Sequence, residues 1–212
     1  MVTTNHHSLD WKPGASQYLL DARFKHPNLP SMPPTLIIVT GLPATGKTTI
    51  ARYLSLQLLI PVFHKDDIKE LLFDQLTAEV QTSSSLLGRT SFALLELTAQ
   101  RMLEAGNSVI IEGNYSQASY TDQLVRLAIN FQADLIQVWC NCEEVVRQQR
   151  FVDRHSSRHP THAQNGPSSK GTGSQQSLSM PGLLIEVDTT DWEKVDLADI
   201  ADQVQRHLTS KT

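Results

Sequence analysis

The chain has 212 residues, 40% of them hydrophobic and 19% charged, with a formal net charge of −4, values that suit one soluble domain and exclude global disorder. It has no run of 18 apolar residues and no apolar segment near its start, so neither a membrane span nor a secretory signal is expected. Two cysteines one residue apart, Cys140 and Cys142, make no disulfide framework, and the mild acidity argues against a nucleic-acid partner. The expectation is a reduced, cytoplasmic protein.

Five of the ten prolines fall within residues 1–34. Proline removes a backbone donor and disfavours helix before it, so this segment reads as an irregular leader, with Trp11, Tyr18 and Phe24 able to pack on a domain. His6 and His7 read as solvated rather than metal-bound. The domain proper is expected over 35–210.

Leu36-Ile37-Ile38-Val39 is a short β-branched run, as for a strand buried on both faces. A glycine-rich turn and a helix over about 47–59 follow. Pro61-Val62-Phe63-His64 reads as a second strand, with Asp66 placed to cap the next helix. Residues 86–105 show helical spacing and end at Gly106, a C-cap candidate. A third strand is expected at 109–111, a helix over 116–131, a fourth strand at 135–140, and a basic helix over 143–154. Residues 156–181 are rich in Ser, Gly, Gln and Pro and read as mobile, so a lid with a mobile segment is assigned to about 143–181. A fifth strand (183–187) and a helix near 196–208 close the pattern. Strands alternating with helices imply right-handed crossovers: an α/β fold with a five-stranded, mainly parallel sheet and helices on both faces.

The strongest local signal is Gly41-Leu42-Pro43-Ala44-Thr45-Gly46-Lys47-Thr48, a G-x-x-x-x-G-K-[ST] match followed by Thr49. Glycines let the chain turn tightly so that several N–H groups converge on phosphate oxygens, and the following helix adds its positive end. Lys47 reaches the outer phosphates and the Thr48 hydroxyl helps to hold Mg²⁺. The motif lies between a buried strand and a helix, the context this mechanism requires, so residues 41–49 are assigned to a nucleotide with Mg²⁺.

Four segments in order carry a resemblance: GLPATGKTT (41–49), HKDDIKE (64–70), VIIEGNY (109–115) and RQQRFVDRHSSRHPTH (147–162). Over residues 35–208 the chain resembles the small P-loop kinases and AAA-type ATP-binding proteins, in the branch near polynucleotide kinase, zeta-toxin-like kinases and chloramphenicol phosphotransferase. The resemblance implies a P-loop NTPase fold with an arginine-rich lid and transfer of the ATP γ-phosphate to a hydroxyl of a small molecule or nucleotide.

Asp66 and Asp67 follow the second strand, whose carboxyl end opens on the same rim as the phosphate loop. By resemblance Asp66 is the candidate base that takes the acceptor's proton, Asp67 is its rival, and Lys69 matches a basic substrate-contacting position. The alternative reading makes both acids helix-terminal charges. Glu112 resembles the terminal acid of a Walker B strand, which orients Mg²⁺; relatives often have Asp there. Gly113 would let the chain approach substrate, and Asn114 would hydrogen-bond the acceptor.

Arg147, Arg150, Arg154 and Arg158 recur at spacings of three, four and four, which puts the first three on one helical face. Charge spreading over a transferring phosphoryl group suits permanently charged planar donors. Motif position makes Arg150 and Arg154 the lid residues of choice; the alternative is a solvated basic helix. His155, His159 and His162 are disfavoured as a zinc site because Pro160 interrupts their alignment. Cys140 and Cys142 read as core and strand-edge thiols. Asp188, Thr189 and Thr190 either flank the nucleotide base, as in similar kinases, or form a turn. The alternative to a kinase is an ATPase module or nucleotide switch driving a protein partner; phosphorylation of a polynucleotide would need a basic channel that the overall charge does not advertise.

Overall fold

The computed structural model describes residues 33–76, 83–115, 118–154, 158–163 and 176–210. The leader as far as residue 32, His155 and most of the serine- and glycine-rich stretch lie outside the described residues. In chain order the elements are β1 (Thr35–Gly41), α1 (Lys47–Leu58), β2 (Val62–His64), α2 (Lys65–Gln75), α3 (Ser84–Glu104), β3 (Val109–Glu112) and α4 (Ala118–Asn130). They continue with β4 (Asp134–Asn141), α5 (Glu144–Asp153), α6 (Pro160–Ala163), β5 (Leu183–Asp188), a 3₁₀ turn (Trp192–Lys194) and α7 (Leu197–Thr209).

The five strands form a sheet of order β2-β3-β1-β4-β5, with every neighbouring pair parallel. β1 is central and buried along its whole length, as its unbroken apolar run requires. Alternate side chains serve opposite faces. Ile37 and Val39 pack with Ile50 and Leu54 of α1 and Ile200 and Val204 of α7. Leu36 and Ile38 pack with Leu95 and Leu103 of α3 and Leu124 of α4. Each of these fully buried aliphatic side chains contributes about 1.5–3 kcal/mol through removal of apolar surface from water.

Register does the rest of the positioning. Val39 lies opposite Glu112, and His64 lies opposite Glu112 on the other side, so the ends of β1, β2 and β3 meet on one rim. Gly106 follows the C-cap residue of α3 at φ 79, with Asn107 N–H bonded to Met102 O and Gly106 N–H to Leu103 O, a Schellman closure. Asp196 caps α7 by accepting from Asp199 N–H at 2.9 Å.

Two expectations need correction. Asp66 does not cap α2: His64 occupies the cap position without a side-chain bond, and Asp66 sits in the first turn, drawn to Lys65. The 156–181 stretch is not uniformly irregular: Pro160 opens the short α6, where its missing donor costs nothing, and Leu178 and Met180 pack against the core.

Candidate active site

The phosphate loop spans the gap between β1 and α1. Gly41 (φ 144), Ala44 (φ 72) and Gly46 (φ 79) hold left-handed backbone, which turns successive amides toward one side. A Cβ on Gly41 would stand 2.1 Å from the Cys140 carbonyl oxygen, so only glycine fits there. Gly46 caps α1, which has no side-chain cap and no acid in its first turn; the helix therefore presents uncompensated N–H groups and its positive end to the loop. Lys47, 8% exposed as a residue, folds back so that its ammonium donates to Leu42 O at 2.8 Å, and Thr45 Oγ1 donates to the same carbonyl at 2.9 Å.

Glu112 ends β3 just below this loop. Its Oε2 accepts from Thr48 Oγ1 at 3.2 Å and lies 3.0 Å from His64 Nδ1. A carboxylate only accepts, so the shared proton sits on Nδ1 and fixes the imidazole tautomer. Thr48 and Glu112 form an all-oxygen pair, the donor chemistry that a hard cation such as Mg²⁺ prefers. Among the described residues no cluster of three His, Cys, Asp or Glu side chains could hold a metal.

Across a cavity of about 270 Å³ from the loop stands the start of α2. Asp66 lines the cavity and Asp67 is exposed outside it. Asp66 Oδ1 accepts from Lys65 Nζ at 2.9 Å, and its Oδ2 is 3.8 Å from Arg158. Burial opposes its ionisation, but Lys65, His162 and Lys47 outweigh that and hold the carboxyl at about 2. Asn114 and Lys69 also line the cavity. Gly113 packs against the Phe92 ring, where a Cβ would come within 3.1 Å of Phe92 Cε1 and the ring would have to give by a few tenths of an ångström.

The arginines divide. Arg147, Arg154 and Arg158 line the phosphate cavity; Arg150 does not. Arg147 is buried, fixed by two bonds to Glu144 (2.6 and 2.7 Å) and one to Pro43 O (3.4 Å). Arg150 instead donates to Thr189 O at 2.7 Å and Thr190 O at 3.3 Å and borders a second hollow of about 250 Å³ with Trp192 and Gly46. Thr189 is fully buried, its hydroxyl 3.1 Å from Thr45 O and 3.0 Å from Asn141 O, and Thr190 bonds Asp188. Residues 188–190 thus form a turn that braces the phosphate loop. His162 bonds Glu70 at 2.9 Å and His159 bonds Asp74 at 3.0 Å, tying α6 to α2.

Sequence reasoning gave no site role to His64 or Trp192, placed Arg147 only among the four lid arginines, and left Thr189 open between a base-flanking stretch and a turn. His64 stood in the quoted HKDDIKE segment, and Arg147 lay on the identified arginine face; their partners depend on strand register and helix rotation. Burial drives the Cys140 thiol up to about 12, and Cys142 is half-buried and also raised.

The AAA domain sequence profile matches residues 36–173. A crystal structure of a kinase candidate from Chloroflexus aurantiacus J-10-fl is 34% identical, covers 84% of this chain and 100% of that one, and superposes with a TM-score of 0.76. The APS kinase CysC of Mycobacterium tuberculosis, in complex with AMPPNP and APS, is 18% identical over 84% of this chain and 98% of that one, with a TM-score of 0.59. Kti12 of Chaetomium thermophilum, in complex with ADP-AlF3, is 18% identical over 82% and 99%, with a TM-score of 0.57. The latter two share the fold. No curated protein matches the sequence. Among the described residues no helix is long and apolar enough to cross a membrane.

Proposed function

We propose that this chain, which belongs to the AAA domain family and has the fold of the small P-loop kinases, transfers the γ-phosphate of ATP to a hydroxyl of a small molecule or nucleotide. One observation carries the reading: the phosphate loop, the Thr48–Glu112 pair and Asp66 line a single cavity walled by arginines. An ATPase switch needs no carboxylate opposite the phosphates that is half open to an acceptor.

The loop amides and the α1 N-terminus receive the phosphates, and Lys47 exchanges its bond to Leu42 O for a charge-assisted bond to a phosphate oxygen. Thr48 and Glu112 would hold Mg²⁺, which, when bound, neutralises developing phosphate charge; His64 keeps the Glu112 carboxylate oriented. Asp66 accepts a hydrogen bond from the acceptor hydroxyl and aims its oxygen at the γ-phosphorus. As the new O–P bond forms, the bond to the ADP oxygen breaks and the hydroxyl proton passes to Asp66. A carboxyl near 2 is a weak base, so its main contribution is orientation, in keeping with late proton loss in a loose transition state. Arg147, Arg154 and Arg158 spread positive charge over the transferring group. The hollow between Trp192 and Arg150 suits a stacked purine base.

The test is ATP consumption by purified chain with and without a panel of hydroxyl acceptors. Turnover that rises with an acceptor, with label appearing on it, is the expected result. Turnover indifferent to all acceptors but raised by a protein partner would replace the kinase by an ATPase switch.

A further inference from the structure

Lys69 is 3% exposed yet borders the phosphate cavity on its α2 side. Its ammonium donates to Ser84 Oγ at 3.1 Å and to Thr161 O at 3.4 Å, both neutral groups. Among the described residues no carboxylate lies within ion-pair distance of it: Glu70, one residue on, is taken by His162, and Asp66 by Lys65 and Arg158. A buried ammonium with three donors and two neutral partners has one donor and its charge left over. Beside it the Thr161 hydroxyl is also buried, without a hydrogen-bond partner among the described residues.

The surroundings sharpen the imbalance. Lys65, Lys69, Arg158 and His162 line this side of the cavity, with Asp66 the carboxylate among them. Burial lowers the Lys69 pKa first; Lys65 lowers it further, Asp66 opposes, Arg158 lowers it again and Glu70 opposes. A native protein retains such a charge where a ligand completes it, because an uncompensated buried cation is costly. The phosphates of ATP are held on the opposite wall, by the loop and Lys47.

We infer that the hydroxyl acceptor is itself an anion, carrying a phosphate, sulfate or carboxylate group that pairs with Lys69 while its hydroxyl meets Asp66. This rests on the kinase reading above and names the chemical class of its second substrate. Arg158, 3.8 Å from Asp66 and over the Phe151 ring at 5.4 Å, stands where it also reaches such a group. Neutral polyols leave Lys69 uncompensated and bind poorly.

The experiment is calorimetry on the full chain saturated with Mg·AMPPNP, so that the loop is already filled, titrated with matched sets: glycerol, glycerate and glycerol 3-phosphate; ribose, ribonate and ribose 5-phosphate; adenosine and adenosine 3′-monophosphate. At least one set is expected to show an anionic member binding about tenfold or more tighter than its neutral parent, with the carboxylate and phosphate arms telling the two groups apart. Lys69→Gln is expected to remove that preference while AMPPNP affinity stays within about twofold. Equal binding of neutral and anionic members, no anion binding up to about 10 mM, or a preference that survives in Lys69→Gln would overturn the inference. The wild-type comparison decides it even where the variant does not fold. Parallel transfer assays separate the two readings. Lys69-dependent anion binding without phosphorylation of any acceptor defeats the kinase and leaves the anion site; phosphorylation of neutral polyols with no anion preference does the reverse.

Discussion

Asp66→Asn separates chemistry from stability, and the structure supplies both magnitudes. The carboxyl falls from an ordinary 3.8 to about 2 in the folded chain, because Lys65, His162 and Lys47 outweigh the burial that opposes its charge. Taken whole, that difference corresponds to about 2 kcal/mol. The side chain is 47% exposed, and solvent screening reduces the contribution to about 1 kcal/mol. The folded pKa is depressed, so this stabilisation is fully present above the unfolded value and is lost as pH falls from about 4 toward 2. At neutral pH the asparagine variant therefore loses about 1 kcal/mol, or about 3 °C in Tm for a chain of this size. Asparagine cannot take a proton, and its amide presents a donor as well as an acceptor to the hydroxyl. Removal of a positioned base typically lowers rate by about 10²–10⁴. The assay pairs thermal unfolding with transfer of labelled phosphate from ATP, alongside AMPPNP binding. A small Tm change, intact nucleotide binding and a large fall in kcat are expected. Transfer at the wild-type rate would refute the assignment of Asp66, and a Tm fall beyond about 10 °C with lost nucleotide binding would make the residue structural.

Lys47→Ala is expected to abolish transfer, since the ammonium at the base of the loop has no substitute; radiolabel transfer checks it. Gly46→Ala puts a Cβ about where the Trp192 ring stands, 2.6 Å from Cζ3, and at φ 79, so nucleotide affinity and Tm both fall, with stability reduced by at least the ~1 kcal/mol of left-handed strain. Glu112→Gln keeps the shape but removes the charge that engages Thr48 and His64, and raises the Mg²⁺ concentration needed for half-maximal turnover by about tenfold or more. Thiol titration of the native chain is expected to find Cys140 unreactive until unfolding, with its pKa near 12, while half-buried Cys142 reacts slowly.

The parts of this protein that were legible in its residues are those made by contiguous chain. Eight consecutive residues from Gly41 to Thr48 build the phosphate cradle, because backbone amides and a helix start are local objects. The unbroken apolar run at 36–39 likewise announces a strand covered on both faces, and the alternation of strands with helices leads to the parallel sheet. Tertiary structure decided what depends on rotation and register. Helical spacing put Arg147 and Arg150 on one face, but a face spans a wide arc; packing turned Arg147 into the phosphate cavity and Arg150 toward Thr189. Adjacent Asp66 and Asp67 look equivalent along the chain, yet the first turn of α2 sends the former to the cavity and the latter to solvent. His64 finds Glu112 across 48 residues through the register of β2 on β3. Thr189 supports Thr45 across 144 residues, and Lys69 meets Thr161 across 92. Such partners are joined by crossover packing between distant segments, so local propensity and periodicity carry no trace of them.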